Sequence, residues 1–394
     1  MAHGTISTST PDQRVTATAV DSRDDLRDRV RDASTRRAAV RIAGSGTWLS
    51  AGRPTNAADV ISVRKLAGIT EYVPGDLTLT ASAGTTLAEI ADATSRHGQW
   101  LALDPYGLND GSVGATVATA SSGPLAAAFG LPRDLVLGVE FIMGTGIVAR
   151  GGGRVVKNVA GFDLTRLITG SWGTLGIITE VTLRLHARPA GDESFAIALD
   201  DEESVERVRR VLRRLPFTPY ACQIVQGLEG TDFPEIAGLT ALFRLGGNAA
   251  SVRAQRAALS ELGGPRPVEA TVWNRLRRSE PERAAVFRLS RSASEIAHTW
   301  RDALAIAAAC PGTVLDAAPA RGIVRCVVPE RDATLAELRT LLGSAADAVR
   351  IGERVPAVLW PMLSLPRTDT LAIGIKRAFD PYSILNTGIL GEAA

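Results

Sequence analysis

Small residues that carry hydroxyl and amide donors are the feature of this chain best suited to binding chemistry. The segment Gly111–Gly123 reads GSVGATVATASSG and contains nothing bulkier than two valines. Backbone this bare can lie directly against a large flat or polyanionic ligand and offer it N–H and hydroxyl donors. A cofactor is the natural candidate, although an isolated run of small residues is more often a flexible loop or a tight helix contact.

Three further glycine-rich segments in the same half of the chain favour the ligand interpretation. They are Ala43–Thr47 (AGSGT), Lys157–Leu164 (KNVAGFDL) and Gly170–Gly176 (GSWGTLG). The first follows an apolar, strand-like segment, Ala39–Ile42, and a loop at the end of a strand is a common position for a bound ligand.

The first glycine loop departs from two common nucleotide-binding patterns. Leu49 stands where a Rossmann GxGxxG fingerprint needs its third glycine or alanine, and Gly52 and Pro54 would break the helix that must follow. Neither GxxxxGKS nor GxxxxGKT occurs in the chain, which excludes the P-loop of ATP-hydrolysing enzymes. We therefore expect a nest of successive amide N–H groups that holds a diphosphate without a helix dipole behind it.

Composition and charge argue against several other classes of protein. The 44 basic and 42 acidic residues leave a net charge of +2, so no overall field points to nucleic acid. The first ten residues lack the basic and apolar regions of a signal peptide, and no apolar run reaches membrane-spanning length. We expect a cytoplasmic chain, possibly held at the periphery of the inner membrane by partners. The 3 cysteines and 4 histidines are scattered, which predicts reduced buried thiols and no metal site.

The elements that must position the glycine loops follow from periodicity and capping signals. In the first half we expect strands at 14–19, 39–42, 77–83 and 176–185, a hairpin of 135–143 with 147–150, and helices at 21–34, 87–96 and 163–169. Beyond the turn-rich segment 188–192 the glycine signatures stop. There we expect strands at 194–199, 221–226, 239–245 and 321–328, and helices at 202–215, 249–262 and 333–342. A helix at 368–377 and a series of turns at 379–388 end the chain.

A chain of 394 residues exceeds a usual single domain. The change of pattern at 188–192 predicts a flexible tail at 1–14, a first domain at 15–188 and a second, α+β domain at 192–350. The turn-rich end, 355–394, is compact enough to pack back on the first domain.

Six motifs, taken in order, resemble the FAD-binding domain of the vanillyl-alcohol oxidase/PCMH flavoprotein family: Arg41–Thr47, Gly111–Gly123, Arg133–Gly138, Gly161–Thr165, Gly170–Glu180 and Phe379–Pro381. Within that family, Val156–Asp163 most resembles the FAD-binding E subunit of bacterial glycolate oxidases. The resemblance covers about residues 35–188 and 355–390. It implies an α+β fold in which a two-lobed PCMH-type FAD-binding domain is followed by an α+β cap, substrate or assembly lobe, with the C-terminal segment returning to the FAD domain.

The resemblance also implies which residues contact FAD. It places Gly44, Ser45, Gly46 and Thr47 around the diphosphate, and Gly173, Gly176, Ile177 and Ile178 at the adenine end. It places Gly111, Ser112, Gly114, Thr116, Ala118 and Ser121 along the diphosphate, ribityl chain and isoalloxazine, and Asn386 near the flavin ring. Physical chemistry agrees, since the glycines permit contact, the hydroxyls donate to phosphate oxygens and the isoleucines offer an apolar slot.

Several of these positions have an alternative role that the sequence leaves open. One of Ile177 and Ile178 is as well explained as core, and Asn386 is as well explained as a turn residue. Lys157 is either a positive charge near the flavin or an anionic substrate, or a solvated surface lysine. We interpret Arg133–Asp134 as a structural ion pair.

Departures from the family pattern bear on the chemistry. Ala43 replaces a usual glycine, and Asn386-Thr387-Gly388 replaces Asn-Pro-Gly. No His or Cys lies within 44–49 or 111–123, so we expect non-covalent FAD. Relatives that oxidise 2-hydroxy acids carry histidines and a carboxylate in the second lobe, commonly with a metal, whereas residues 190–350 contain only His298. The catalytic residues therefore stay unassigned.

Two enzymatic functions and one non-enzymatic function follow. The leading hypothesis is the FAD-binding subunit of a glycolate oxidase-like complex, an FAD-dependent oxidoreductase acting on small 2-hydroxy acids such as glycolate or D-lactate. A related catalytic flavoprotein and an iron–sulfur subunit would be separate chains. The second is a self-sufficient FAD-dependent 2-hydroxy acid or alcohol dehydrogenase or oxidase, in which Arg321 or Arg325 clamps a carboxylate. The third is a structural paralogue without FAD.

Overall fold

The chain folds into two compact units. The computed structural model describes residues 17–55, 57, 59–107, 109–153, 163–228, 232–236, 238–343, 348–364 and 370–391. The first unit comprises residues 1–122, 130–188 and 365–394, and the second comprises 123–129 and 189–364. The C-terminal residues therefore belong to the same unit as the glycine loops. The predicted tail 1–14, the 156–162 part of the glycolate oxidase-like motif and Lys157 lie outside the described residues.

The first unit begins with a small parallel sheet. Strands β1 (Ala17–Ala19), β2 (Val40–Ala43) and β3 (Asp59–Ser62) pair in the order β1-β3-β2. Helix α1 (Arg23–Arg36) begins after Ser22, whose side chain accepts a hydrogen bond from the backbone of Asp25. The apolar face of α1 is buried in a core cluster that also contains residues of β2 and β3. Because β2 is pinned in this way, the loop that follows it starts from a rigid strand end.

A five-stranded antiparallel sheet forms the larger part of the first unit. Its strand order is β4-β5-β9-β7-β8. The strands are β4 (Ile69–Val73), β5 (Thr78–Ser82), β7 (Val136–Ile142), β8 (Val148–Gly152) and β9 (Ile177–Arg184), while β6 (Gln99–Trp100) pairs with β10 (His186–Ala187). The helices are α2 (Leu87–Ser95), α3 (Val113–Thr119), α5 (Pro132–Leu135), α6 (Leu164–Ile168) and α12 (Thr370–Phe379). Reciprocal hydrogen bonds between Thr86 and Glu89 start α2.

The second unit is built on one antiparallel sheet of eight strands in the order β14-β11-β13-β12-β16-β17-β15-β18. These strands are β11 (Gly191–Ala198), β12 (Ala221–Gln226), β13 (Thr240–Gly247), β14 (Arg266–Val268), β15 (Ala284–Ser290), β16 (Val314–Ala318), β17 (Ile323–Pro329) and β18 (Val349–Arg354). Its helices are α4 (Ala126–Phe129), α7 (Glu203–Arg214), α8 (Ala249–Ala258), α9 (Thr271–Arg277), α10 (Ile296–Ala309) and α11 (Asp332–Gly343).

Two apolar clusters make up the core of the second unit. Trp300 of α10 and Val208 of α7 belong to the larger cluster, and Trp273 of α9 belongs to the smaller one. Cys222, Cys310 and Cys326 are buried and form no disulfide, as expected for reduced thiols. Burial raises the pKa of each thiol.

Three predicted segments differ clearly from the observed ones, and strands β3, β4, β14, β15, β16 and β18 and helices α9 and α10 were not predicted. The run 111–123 is not bare loop throughout, because Val113–Thr119 forms α3. The predicted helix 249–262 ends at Ala258 and continues as a 3₁₀ turn, Leu259–Leu262. The predicted strand 321–328 starts at Ile323, since Pro319–Arg321 is another 3₁₀ turn. Among the helices of the described residues, none has the length and apolarity needed to cross a membrane.

Candidate functional site

A cleft in the first unit lies where the glycine-rich segments converge. It encloses about 660 Å³ between atoms, part of it open to solvent. Its walls are the end of β2 with the following loop, one side of α3, the 172–176 turn with the start of β9, and the C-terminal segment. Four segments that are distant in sequence thus form one concave surface.

Gly44 brings the loop after β2 against the first turn of α3. A Cβ on Gly44 would lie 2.0 Å from Ser112 Oγ, 3.1 Å from Ala115 Cβ and 3.2 Å from Ser112 Cβ. The hydroxyl can rotate away, but the two Cβ atoms belong to packed backbone. Gly46 has φ +93°, a conformation that side chains rarely adopt. This loop, Gly44–Thr47, which we call the glycine cradle, packs directly against α3, and the nest of N–H groups stays a prediction.

Helix α3 is both a packing element and a wall of the cleft. A Cβ on Gly114 would lie 2.5 Å from Ala83 Cβ, so glycine is needed for α3 to pack beside the end of β5. Ala115 and Ala118 face the cleft. The small residues of this run thus serve a tight helix contact and a ligand wall at once.

The hydroxyls of α3 are not equivalent. Thr116 Oγ1 donates to the Ser112 carbonyl within the helix at 3.0 Å, so it is already paired. Ser112 is fully buried, and its Oγ has no hydrogen-bond partner among the described residues. A buried hydroxyl without a partner costs free energy, and here it lies beside the glycine cradle.

The 171–176 turn approaches the cleft from the side of β9. Trp172 has φ +53° and donates its backbone N–H to the Ala118 carbonyl at 2.7 Å, which ties the turn to α3. The rings of Trp172 and Trp48 lie 6.2 Å apart. A Cβ on Gly173 would lie 2.8 Å from Asn386 Nδ2. Glycine at 173 therefore makes room for the C-terminal segment.

Asn386 joins three segments of the cleft wall. Its Oδ1 accepts from the Ile42 N–H at 2.7 Å, and its Nδ2 donates to the Trp172 carbonyl at 2.6 Å. It is 4% exposed and has φ +46°. Because both ends of the amide are engaged by backbone, Asn386 positions the walls around a ligand. This geometry favours the turn-forming alternative for Asn386.

Asp380 fixes the backbone that leads to Asn386. The Asp380 carboxylate is 1% exposed and accepts from the backbone N–H groups of Ile384, at 3.1 Å, and Leu385, at 2.9 Å. Lys376 Nζ donates to it at 2.8 Å and to the Thr174 carbonyl at 2.7 Å. The Phe379–Pro381 motif is thus an anchor for the C-terminal wall.

Ile177 and Ile178 form an apolar part of the cleft. Both line it, and they are only 1% and 5% exposed. They also belong to the core cluster of the first unit. The core and ligand roles are therefore compatible at these two positions.

Arg41 is the one charged side chain among the cleft-lining residues of the described chain. Its Nη2 donates to the Ala51 carbonyl at 3.1 Å, while Nη1 is buried without a hydrogen-bond partner. No carboxylate of the described residues forms a salt bridge with it. Burial lowers the pKa of Arg41 from its ordinary value to about 10, which leaves the group charged at neutral pH.

The structure gathers most, but not all, of the predicted site residues at this cleft. Ten line it: Gly44, Gly46, Thr47, Gly114, Ala118, Gly173, Gly176, Ile177, Ile178 and Asn386. Five do not: Ser45, Gly111, Ser112, Thr116 and Ser121. Sequence reasoning missed Arg41, Trp48, Trp172 and Ile389. The proximity of Arg41 to the first glycine loop was the one available signal for it.

Arg133 and Asp134 form a loose pair on the surface of the first unit. Arg133 Nε lies 4.0 Å from Asp134 Oδ1, and both side chains are exposed. The Asp134 carboxylate also accepts from the Leu131 N–H at 2.9 Å. A structural role is the one that these contacts support.

Arg325 of the second unit lies in an internal network of ion pairs. Arg325 is 4% exposed and pairs with Glu280 and, through Nε at 2.9 Å, with Glu353. Arg288 pairs with Glu353 at 2.8 Å. Burial would raise the pKa of Glu353, but the charges of Arg325 and Arg288 hold it below its ordinary value. The hypothesis that Arg325 clamps a substrate carboxylate is therefore wrong, because two internal carboxylates already occupy its guanidinium.

His298, the one histidine between residues 190 and 350, lies exposed on α10. No group of three or more His, Cys, Asp or Glu side chains arranged to hold a metal ion occurs among the described residues.

Residues 16–152 match a family described as an FAD binding domain. The chain is 35% identical to glycolate oxidase subunit GlcE of Escherichia coli over 243 residues, which are 61% of this chain and 63% of GlcE. It is 35% identical to glycolate oxidase subunit GlcD of Bacillus subtilis over 37% of this chain and 31% of GlcD. The D-lactate dehydrogenase of Archaeoglobus fulgidus is 34% identical over 44% of this chain and 39% of that enzyme. The chain thus spans less than two thirds of the length of these relatives.

A solved structure of p-cresol methylhydroxylase superposes with a TM-score of 0.73, at 16% identity, over 98% of this chain and 91% of that one. A solved structure of 4-ethylphenol oxidase from Gulosibacter chungangensis gives 0.71 at 17% identity, over 95% and 88%. These likenesses show a shared mixed α+β fold.

Proposed function

We propose that this chain is the FAD-binding subunit of a glycolate oxidase-like assembly, on the premise that residues 16–152, which match a family described as an FAD binding domain, bind FAD. In this role it is part of an FAD-dependent oxidoreductase that acts on small 2-hydroxy acids such as glycolate or D-lactate. The similarity to GlcE, a subunit by its name, supports this assignment over a self-sufficient enzyme.

The main support for this proposal is that the lining of the cleft in the first unit matches the chemistry of FAD. An FAD molecule combines a doubly charged diphosphate with two flat ring systems. The cleft offers a glycine cradle, the charged side chain of Arg41 and an apolar wall at Ile177 and Ile178. These groups fit the chemistry of the cofactor.

The roles of the lining residues follow from their contacts. Gly44, Gly46 and Thr47 would hold the diphosphate, and Ile177 and Ile178 would flank the adenine. Asn386 would hold the walls of the cleft at their observed spacing. None of the cleft-lining residues is a His or Cys, which supports non-covalent binding. When bound, FAD supplies the acceptor for the electrons removed from the substrate.

The second unit supports dependence on a partner. Oxidation of a 2-hydroxy acid also releases the hydroxyl proton, and a positioned base must take it. Arg325, Glu280 and Glu353 of the second unit satisfy one another, and Asp316 accepts from Gln223 Nε2 at 2.7 Å. We propose that a related catalytic flavoprotein supplies the base and an iron–sulfur subunit takes the electrons. The assembly would be cytoplasmic, with peripheral attachment to the inner membrane through partners.

The test is the flavin spectrum of the purified full chain under anaerobic conditions. We expect an oxidised flavin spectrum that stays unchanged when glycolate or D-lactate is added, and acid precipitation that releases the flavin. Bleaching of the isolated chain by either acid would favour the self-sufficient dehydrogenase. A colourless chain that takes up no FAD would contradict both functions.

A further inference from the structure

Arg41 offers a positive charge to the cleft that no carboxylate of the described residues pairs with. Its Nη1 is buried without a partner, its Nη2 donates to the Ala51 carbonyl, and its neighbours in the lining are apolar or uncharged. Buried arginines are ordinarily paired with a carboxylate or bound to an anion, because an isolated buried charge is costly.

Because Arg41 lacks such a partner, we propose that it is the counter-ion of the cofactor diphosphate. Its charge makes the site bind a dinucleotide in preference to the uncharged riboflavin. The proposal rests on the proposed function, since it assumes FAD in this cleft. A guanidinium can donate two parallel hydrogen bonds to phosphate oxygens, and Nη1 is unused. The diphosphate is the part of oxidised FAD that is charged at neutral pH.

The position of Arg41 relative to the cradle supports this role. Arg41 lies on β2, three residues before Gly44, and β2 is fixed by pairing with β3 and by the hydrogen bond from Ile42 N–H to Asn386. The bond to the Ala51 carbonyl restrains the guanidinium before any ligand arrives. A restrained charge loses less conformational freedom on binding.

The experiment measures dissociation constants of four probes for the full chain after its flavin has been removed: FAD, riboflavin, ADP and adenosine. The variants are Arg41→Gln, which removes the charge, and Arg41→Lys, which keeps it. Arg36→Gln is the matched control, because Arg36 lies exposed at the end of α1 and pairs only with Asp32 among the described residues. Circular dichroism checks folding of each variant.

We expect Arg41→Gln to weaken FAD and ADP by about 10- to 100-fold, the range for a charge-assisted hydrogen bond, and to change riboflavin and adenosine by less than about 2-fold. Arg41→Lys should recover part of the loss, and Arg36→Gln should leave all four constants unchanged. Raising the salt concentration should weaken ADP binding to the unmodified chain more than adenosine binding.

An equal loss for all four probes in Arg41→Gln would mean a structural role and would overturn the proposal. So would an unmodified chain that binds adenosine as tightly as ADP, a result that needs no variant. If the unmodified chain binds no FAD, the proposed function fails; if it binds FAD and Arg41→Gln binds it equally well, only this inference fails.

Discussion

Two largely buried arginines, one in each unit, have opposite surroundings. Arg325 of the second unit is held by Glu280 and Glu353, whereas Arg41 of the first unit meets one backbone carbonyl and leaves Nη1 without a partner. A charge whose partners are internal contributes to the fold. A charge without them raises the free energy of the empty site, and that cost is relieved when an anion binds.

The difference between the two arginines also indicates different roles for the two units. The first unit contains the glycine cradle and the cleft that Arg41 lines. In the second unit, Arg325 is paired internally with Glu280 and Glu353. The same residue type in these two surroundings therefore predicts opposite consequences of substitution.

The largest expected effect comes from Arg325→Met. Removal of Arg325 leaves Glu353 and Glu280 with one arginine each, and breaking a buried ion pair costs about 3 to 5 kcal/mol of unfolding free energy. Hydrogen exchange measured by mass spectrometry reports the units separately, and protection should fall in β15, β17 and β18. The dissociation constant of FAD should stay unchanged.

Arg41→Met should do the reverse. The apo chain should nearly keep its stability, since only the hydrogen bond to the Ala51 carbonyl is lost and no ion pair is broken, while FAD binding weakens. Arg283→Met is the surface control for both, because Arg283 is 75% exposed and pairs with Glu330 at 3.6 Å, a contact worth less than about 1 kcal/mol. A destabilised apo Arg41→Met chain, with an unaltered Arg325→Met chain, would refute the distinction between the two arginines.

Acidification should affect the second unit through Glu353. Its pKa is raised by burial but lowered further by Arg325 and Arg288, so in the folded chain it lies below the ordinary value of 4.5. A carboxylate with a depressed folded pKa stabilises the fold above its unfolded pKa and loses that contribution as the pH falls through the folded value. Protection in β17 and β18 should therefore decline below about pH 4.5. The decline should be smaller in Glu353→Gln, and an equal decline would assign the acid sensitivity to other groups.

Substitution of Asn386 tests whether the first unit needs the hydrogen bonds that position its cleft walls, as the second unit needs its ion pairs. Asn386→Gly keeps the left-handed backbone conformation but leaves the Ile42 N–H and the Trp172 carbonyl without partners. At about 1 to 2 kcal/mol for each of the two lost bonds, we expect the unfolding free energy to fall by about 2 to 4 kcal/mol and FAD binding to weaken. Ser383→Gly is the matched control, since Ser383 also has a positive φ but is exposed. Equal behaviour of the two variants would mean that the Asn386 amide does not hold the wall.

Sequence patterns predicted the elements that local signals specify. The alternation in β9 and the Thr86–Glu89 capping pair fix a strand and a helix within a few residues of their observed bounds. The glycine segments pointed to one ligand site because glycine has few reasons to cluster. They could not show that part of the run 111–123 is helical, since Ala, Thr and Val leave the helix and loop alternatives close in free energy.

Contacts between residues that are distant in sequence could not be predicted from sequence patterns. The Asn386 amide bonds to backbone 344 and 214 residues away, and no local pattern encodes such a contact. For the same reason the second hypothesis named Arg321 or Arg325 as the carboxylate clamp, and Arg41 was not singled out. Whether an arginine is paired depends on which carboxylates the fold brings near, and Glu280 lies 45 residues before Arg325.

Gly44→Ala should give the smallest change in stability and FAD affinity. It tests the shape of the glycine cradle while the charge of Arg41 is kept. The new Cβ would lie 3.1 Å from Ala115 Cβ and 3.2 Å from Ser112 Cβ, so the loop must shift by a few tenths of an ångström at a cost of about 1 to 2 kcal/mol. The shift moves the cradle relative to Arg41, and FAD affinity should fall by about 10-fold. Gly75→Ala is the control, because a Cβ there meets nothing within 4 Å. The double variant Gly44→Ala/Ser112→Gly removes the nearest clash and should recover much of the affinity. No recovery would mean that the backbone at Gly44 contacts the ligand itself, and the cradle would then contribute to binding independently of its packing on α3.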